Sequence, residues 1–269
     1  MSTDSKATIF SLVNNVATIT LSNVEKHNAF DDAIISELRA HIATVNASNE
    51  VRVLILKAEG KHFCAGADLA WMKRMAQLNH RENLEDARKL ASLMTELDGL
   101  SIPTIVRVQG AAYGGAIGLI ACCDIAIASD NARFCLSEVK LGLAPATIGP
   151  FVVNAIGTRQ CRKLFLTAEV FNAQAAKDYQ LIHEIVPVEK LDEQVETTLQ
   201  RILQTGPSAS KAAKKLVKDI ATVNDDLTEV TCQLIADLRV SEEGQEGLGA
   251  FFDKRPPSWL NVTKSGLSE

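Results

Sequence analysis

The chain has 269 residues, 46% of them hydrophobic and 23% charged, with a net charge of −5. That is ample material for a soluble core, and it argues against a broad nucleic-acid footprint, which needs clustered Lys and Arg. No apolar run approaches the roughly 18 residues of a membrane span, and the opening MSTDSKATIF lacks a basic stretch followed by an apolar one. A cytoplasmic protein with no membrane or nucleic-acid partner is expected.

From the N-terminus, Ile9–Val13 and Val16–Leu21 alternate apolar and polar residues around Asn14-Asn15, the pattern of a β-hairpin. Asp31 or Asp32 can cap a helix running to about Ala47, with Ile34, Ile35, Leu38 and Ile42 on one face. Val51–Leu56 reads as a buried strand, Glu59–Ala67 as a loop, and a helix starts near Leu69. Glu82–Leu100 is predicted helical and Thr104–Val108 a second buried strand. The turn Tyr113-Gly114-Gly115, an apolar helix to about Cys122, and a strand over Asp124–Ala128 follow. Short apolar strands alternating with helices predict βαβ crossovers, a largely parallel sheet and an α/β fold. From about Leu191 the pattern changes to three or four amphipathic helices interrupted at Gly206-Pro207. The chain therefore divides into a core over residues 1–190 and a helical region over 191–269, of a kind that packs on a neighbouring subunit.

The cysteines at 64, 122, 123, 135, 161 and 232 form no C-x-x-C pair, which fits reduced, mostly buried thiols. The histidines are scattered, with none at the i, i+4 spacing of a helical ligand pair. No metal site is expected.

Two places share one design: a buried strand, a loop of small residues, then a helix start. One is Val53–Leu56 leading to Cys64-Ala65-Gly66-Ala67-Asp68-Leu69; the other is Val106–Val108 leading to Gly110–Ala116. Unpaired N–H groups at two such helix starts can converge on a developing oxyanion. Small residues there serve equally well for tight strand–helix packing, and Asp68 as a plain N-cap.

Gly60-Lys61-His62-Phe63-Cys64-Ala65-Gly66-Ala67-Asp68-Leu69 resembles the first signature of the enoyl-CoA hydratase/isomerase (crotonase) family. Val108–Gly110 through Gly114-Gly115, Cys123-Asp124-Ile125, Phe134–Glu138 with Leu141-Gly142 and Pro145, and the stretch ending Lys254-Arg255-Pro256 resemble its later blocks. The resemblance spans nearly the whole chain. It implies a spiral ββα core with a C-terminal helical trimerisation region, assembled as a trimer or dimer of trimers. It also implies an acyl-coenzyme A thioester as substrate, with no cofactor beyond that coenzyme A. The N–H groups of Ala67 and Gly115 would hold the thioester carbonyl, with Tyr113 and Gly114 beside it. Lys26, Asn28 and Ala29, together with Ala65, Asp68 and Leu69, would contact coenzyme A. Phe251 and Lys254 resemble C-terminal residues that reach the ligand, often across subunits. Trp71 and Met72 line either the acyl pocket or the core.

The family's hydratases flank the substrate with two glutamates. The later one matches Glu138; the earlier falls on Gly118, which has nothing to titrate. The stretches Ala67–Met72 and Leu136–Ile148 resemble bacterial methylglutaconyl-CoA hydratases. The favoured expectation is therefore reversible hydration of a branched, methylglutaconyl-like enoyl-CoA, with Arg74 and Lys73 the candidate cations for a distal carboxylate. Three other readings stay open: an enoyl-CoA isomerase using Glu138 alone, a hydrolase with Cys64 as nucleophile and His62 as base, and a non-catalytic acyl-CoA-binding relative.

Overall fold

The computed structural model describes residues 7–222 and 227–260. The hairpin forms as predicted, β1 (Thr8–Val13) and β2 (Val16–Leu21) pairing antiparallel, with positive φ at Asn14 and Asn15, which is the turn that matches strand twist. Helix α1 (Asp32–Ala47) is capped by Asp31, whose carboxylate accepts the N–H of Ile34. Then come β3 (Val53–Ala58), α2 (Leu69–Met75), α3 (His80–Asp98), β4 (Thr104–Val108), β5 (Ala111–Tyr113), α4 (Gly115–Ala121), β6 (Ile125–Ser129) and β7 (Arg133–Cys135). After these follow α5 (Gly149–Thr167), β8 (Phe171–Asn172), α6 (Ala173–Asp178) and β9 (Glu184–Val186). Four helices end the described chain: α7 (Leu191–Leu203), α8 (Pro207–Thr222), α9 (Leu227–Val240) and α10 (Glu242–Phe252).

The main sheet has the order β1-β2-β3-β4-β6-β9 and is parallel from β2 onward. Its inner strands β3, β4 and β6 bury both faces. In β3, Leu54 and Leu56 join the large core, while Val53 and Ile55 meet Leu191, Val195, Leu199 and Leu203 of α7. That two-sided burial produces the near-continuous apolar runs seen in the sequence. The first C-terminal helix thus covers the back of the sheet. Helices α9 and α10 pack on each other and on α8, which is held to the core by Lys214 Nζ at 2.7 Å from Asp124 and 2.9 Å from the Ile102 carbonyl.

A second, smaller sheet has the order β5-β7-β8, and the bridges Cys64↔Ala112 and Phe30↔Ala67 extend it. Successive turns of the chain each add one short segment to this layer. Here the structure corrects the sequence reading: Ala111–Tyr113 is a strand running into the glycine turn, and the two- and three-residue strands β7, β8 and β9 gave no periodicity to detect. Helix α3 starts earlier than predicted, at a capping box in which Asn79 and Glu82 bond each other's backbone N–H. Five cysteines are buried and Cys232 is exposed. Among the described residues, no helix is long and apolar enough to cross a membrane and no cluster could hold a metal ion.

Candidate active site

The small sheet brings the two glycine-rich loops together. Tyr113 donates its N–H to the Cys64 carbonyl at 3.0 Å, and Phe30 exchanges bonds with the other loop, its N–H going to Gly66 and its carbonyl receiving that of Asp68. The Phe30 ring lies 3.1 Å from where a Cβ on Gly115 would stand. Phe30 is therefore the wedge between the Ala67 segment and the start of α4. Among the described residues, no hydrogen bond takes the N–H of Ala67 or of Gly115. Gly114 makes the entry possible with φ 55° and ψ −122°, a conformation that side chains disfavour, while its own N–H goes to the Cys135 carbonyl at 2.9 Å.

Glu138 reaches the same point from the loop after β7, at the start of a short 3-10 turn over Glu138–Leu141. Its Oε1 lies 3.4 Å from the Cβ position of Gly114. Its Oε2 is buried and has no hydrogen-bond partner. Burial raises its pKa above the ordinary glutamate value, against a smaller opposing contribution from its own backbone N–H, as expected when a carboxylate loses more to desolvation than its one hydrogen bond returns. Phe30 thus joins the Ala67 segment to the start of α4, and the Glu138 carboxyl lies against Gly114 at that same helix start. Such a constellation can hold a carbonyl oxygen as it gains charge while a proton moves on the adjoining carbons.

At Gly118 the departure from the two-glutamate pattern is structural. A Cβ there would overlap Ile148 Cγ2, and would stand 2.9 Å from Ile148 Cβ and 3.0 Å from Met94 Sδ. All three residues are buried. An apolar plug fills the position, and sequence reading missed both residues that form it.

Asp68 caps α2, accepting the N–H groups of Ala70 and Trp71 at 2.9 Å, and pairs with Lys26 at 3.0 Å. The Trp71 N–H and then Lys26 hold its carboxyl below the ordinary range. Lys26 is thus tethered at the edge of the loop, half exposed. Ala65 and Ala67 are exposed, and Leu69 is 75% exposed, leaving one side of this segment open. Ala29 is buried, as is Asn28, whose amide is turned inward to the carbonyls of Glu59 and His62. The Asn28 side chain therefore braces the loop.

Phe251 is 77% exposed at the end of α10, and Lys254 is exposed with φ 53°; α10 packs on α9 and α8. Within one chain neither is joined to the site. Trp71 is buried in the core, whereas Arg74 is exposed and already paired with Asp32 at 2.6 Å. The hydrolase reading fails on geometry. The Cys64 thiol is fully buried and pushed up to about 12, and His62 Nδ1 already accepts the Ala111 N–H at 3.0 Å.

Known proteins agree with this architecture. The enoyl-CoA hydratase/isomerase pattern matches residues 12–262. The crystal structure of an enoyl-CoA hydratase from Shewanella pealeana superposes with a TM-score of 0.90 at 45% identity, covering 94% of this chain and 96% of that one. Pseudomonas aeruginosa AtuE gives 0.90 at 33% identity, covering 94% and 99%. The trans-2-decenoyl-[acyl-carrier-protein] isomerase of Streptococcus mutans is 29% identical, over 95% of this chain and 98% of its own. With its crotonase-type α/β core and a family match over residues 12–262, this chain belongs to the enoyl-CoA hydratase/isomerase family.

Proposed function

We propose that the protein is an enoyl-CoA hydratase that adds water reversibly across the 2,3 double bond of a branched, methylglutaconyl-like enoyl-CoA, with Glu138 as its single acid–base group. The observation that carries this reading is the half-buried Glu138 carboxyl, whose Oε2 is sealed without a hydrogen-bond partner. It lies close to the N–H groups of Ala67 and Gly115, which no hydrogen bond takes among the described residues. Water attacks C3 and the electron pair moves through C2 to the thioester oxygen, where the two N–H groups hold the enolate. Glu138 takes a proton from the attacking water and returns one to C2, so it ends as it began. The raised pKa of Glu138 brings the carboxyl closer to working pH in both roles.

Coenzyme A enters as part of the substrate and no other cofactor is needed. Its polar end would lie along the exposed Ala65–Leu69 segment, with tethered Lys26 as a point charge toward phosphate. The protein would work in the cytoplasm as a trimer or dimer of trimers. Residues 191–269 would supply the oligomerisation region, with Val217, Val240, Phe251 and Phe252 exposed on α8 to α10. In that assembly Phe251 and Lys254 would reach a neighbour's ligand.

A second reading rests on the plug at Gly118. With no second carboxyl to clamp water, Glu138 could instead carry one proton from C2 of a 3-enoyl thioester to C4, giving the 2-enoyl isomer. Purified protein offered crotonyl-CoA, 3-methylglutaconyl-CoA and 3-hexenoyl-CoA separates the two. Hydroxyacyl products from the first two, with 3-methylglutaconyl-CoA preferred, support the hydratase. Conversion of 3-hexenoyl-CoA alone would replace it with the isomerase.

A further inference from the structure

Between the two glycine-rich loops one rung of the backbone ladder is supplied by a side chain. Around the bridge Cys64↔Ala112, the Cys64 N–H goes to the Ala111 carbonyl and the Tyr113 N–H to the Cys64 carbonyl, each at 3.0 Å. Continued regularly, a parallel ladder would send the Ala111 N–H to the His62 carbonyl. That carbonyl instead accepts the amide of buried Asn28 at 3.0 Å. The Ala111 N–H goes to Nδ1 of the His62 ring, also at 3.0 Å. Gly110 leaves room for that ring: with φ at 58°, a Cβ there would stand 2.7 Å from Nδ1 and press on the Lys61 carbonyl.

An Nδ1 that accepts must keep its lone pair, so the imidazole is neutral with its proton on Nε2. A second proton would turn Nδ1 into a donor facing a donor, and the Ala111 N–H would lose its partner. Two titratable groups face the ring: His27 from the loop before α1, edge-on with ring centroids 5.2 Å apart, and Lys61 beside it. Gln109, Gly110 and Ala111 opposite bring none. Desolvation, and then the charges of His27 and Lys61, lower the His62 pKa from its ordinary value, so the neutral ring is favoured.

We propose that His62 is a positioning residue whose neutral ring replaces the missing rung and holds β5, with the turn into Gly115, against the Cys64–Ala67 loop. Protonation of the ring would then release the two loops from each other. The proposal rests on the reading of the Ala67 and Gly115 N–H groups as an oxyanion hole, and adds what keeps them at a fixed spacing.

Hydrogen exchange and turnover of an enoyl-CoA are measured on the full chain, His62→Asn and His62→Phe, between about pH 8 and pH 5. Asparagine offers an uncharged oxygen near the place of Nδ1; phenylalanine keeps a ring without an acceptor. In the parent, protection of the Ala111 amide, corrected for the intrinsic pH dependence of exchange, should fall about tenfold on acidification, the loss of one hydrogen bond. His62→Phe should lack that protection at every pH and lose about tenfold in kcat. His62→Asn should recover most of both, and its kcat relative to the parent should rise as pH falls, a ratio that cancels the titration of Glu138. A phenylalanine variant that matches the parent, or an asparagine-to-parent ratio unmoved by pH, would overturn the proposal. An Ala111 amide in the parent equally protected at both ends of the range would overturn it without any variant. If no enoyl thioester is turned over, the hydratase reading fails while the exchange measurements still decide the role of His62.

Discussion

Ile148 occupies the space that a side chain on Gly118 would need. This relationship explains how the family's second carboxyl is absent here without a hole being left. It also makes the pair a strongly coupled one. Gly118→Ala should cost about 1–3 kcal/mol by overpacking, and Ile148→Ala about 2–5 kcal/mol by leaving a cavity. The double variant should lose less than the sum, because the new methyl enters the vacated space. Chemical denaturation of the three variants measures the coupling; additive losses would show that the two positions do not compete.

Glu138→Gln keeps the shape and removes the proposed base. Turnover should fall by about 10²–10⁴-fold, the range of positioned acid–base groups. Stability should move the other way. A carboxyl whose folded pKa is raised favours its neutral form, so the fold is disfavoured as pH rises through that value. The glutamine variant should therefore melt higher than the parent at neutral pH. The gain should vanish below the ordinary carboxylate range, where the parent is itself neutral. Melting curves at several pH values read both limits.

Asp68 presents the opposite sign. Its folded pKa is depressed by the Trp71 N–H and Lys26, so its contribution is present above the ordinary carboxylate range and lost as pH falls through the depressed value. Asp68→Ala removes an N-cap worth about 1 kcal/mol, and the half-exposed Lys26 partner adds no more than about 1 kcal/mol. The difference in stability between the parent and this variant should shrink on acidification.

Gly114→Ala tests the glycine turn at the site. Its φ of 55° would strain an alanine by about 1–3 kcal/mol, and the methyl would sit 3.4 Å from the Glu138 oxygen. Activity should fall more steeply than stability. A variant equally active and equally stable would show that the turn is unstrained.

Cys64→Ala removes a buried thiol that is pushed up to about 12 and so holds its proton at working pH. The variant should cost about 1 kcal/mol or more of stability, as core changes do, while kcat stays near that of the parent. Loss of turnover in a stably folded variant would reopen thiol chemistry.

The hairpin, α1, the parallel strands β3, β4 and β6, and a C-terminal run of three or four helices were legible because their apolar periods run over five or more residues. The strands of the small sheet were not: β7 has three residues and β8 two, too short for any period, and they form only because successive turns of the chain stack. The same limit applied to the site. The Ala67, Gly115 and Glu138 motifs could be read locally. Phe30 as the wedge between two loops, and Ile148 and Met94 filling Gly118, are contacts between residues 24 to 85 positions apart. The inward turn of the Asn28 amide likewise depends on the carbonyls of Glu59 and His62, which sequence spacing does not reveal.

The central claim is that one carboxyl, Glu138, adds water to an enoyl thioester held by the Ala67 and Gly115 N–H groups. Incubation with crotonyl-CoA and 3-methylglutaconyl-CoA in oxygen-18 water, beside Glu138→Gln and with mass analysis of the products, tests it most directly. The account predicts 3-hydroxyacyl-CoA carrying the label with the parent protein and essentially none with the variant. Unlabelled products, or label incorporated equally by the variant, would contradict it.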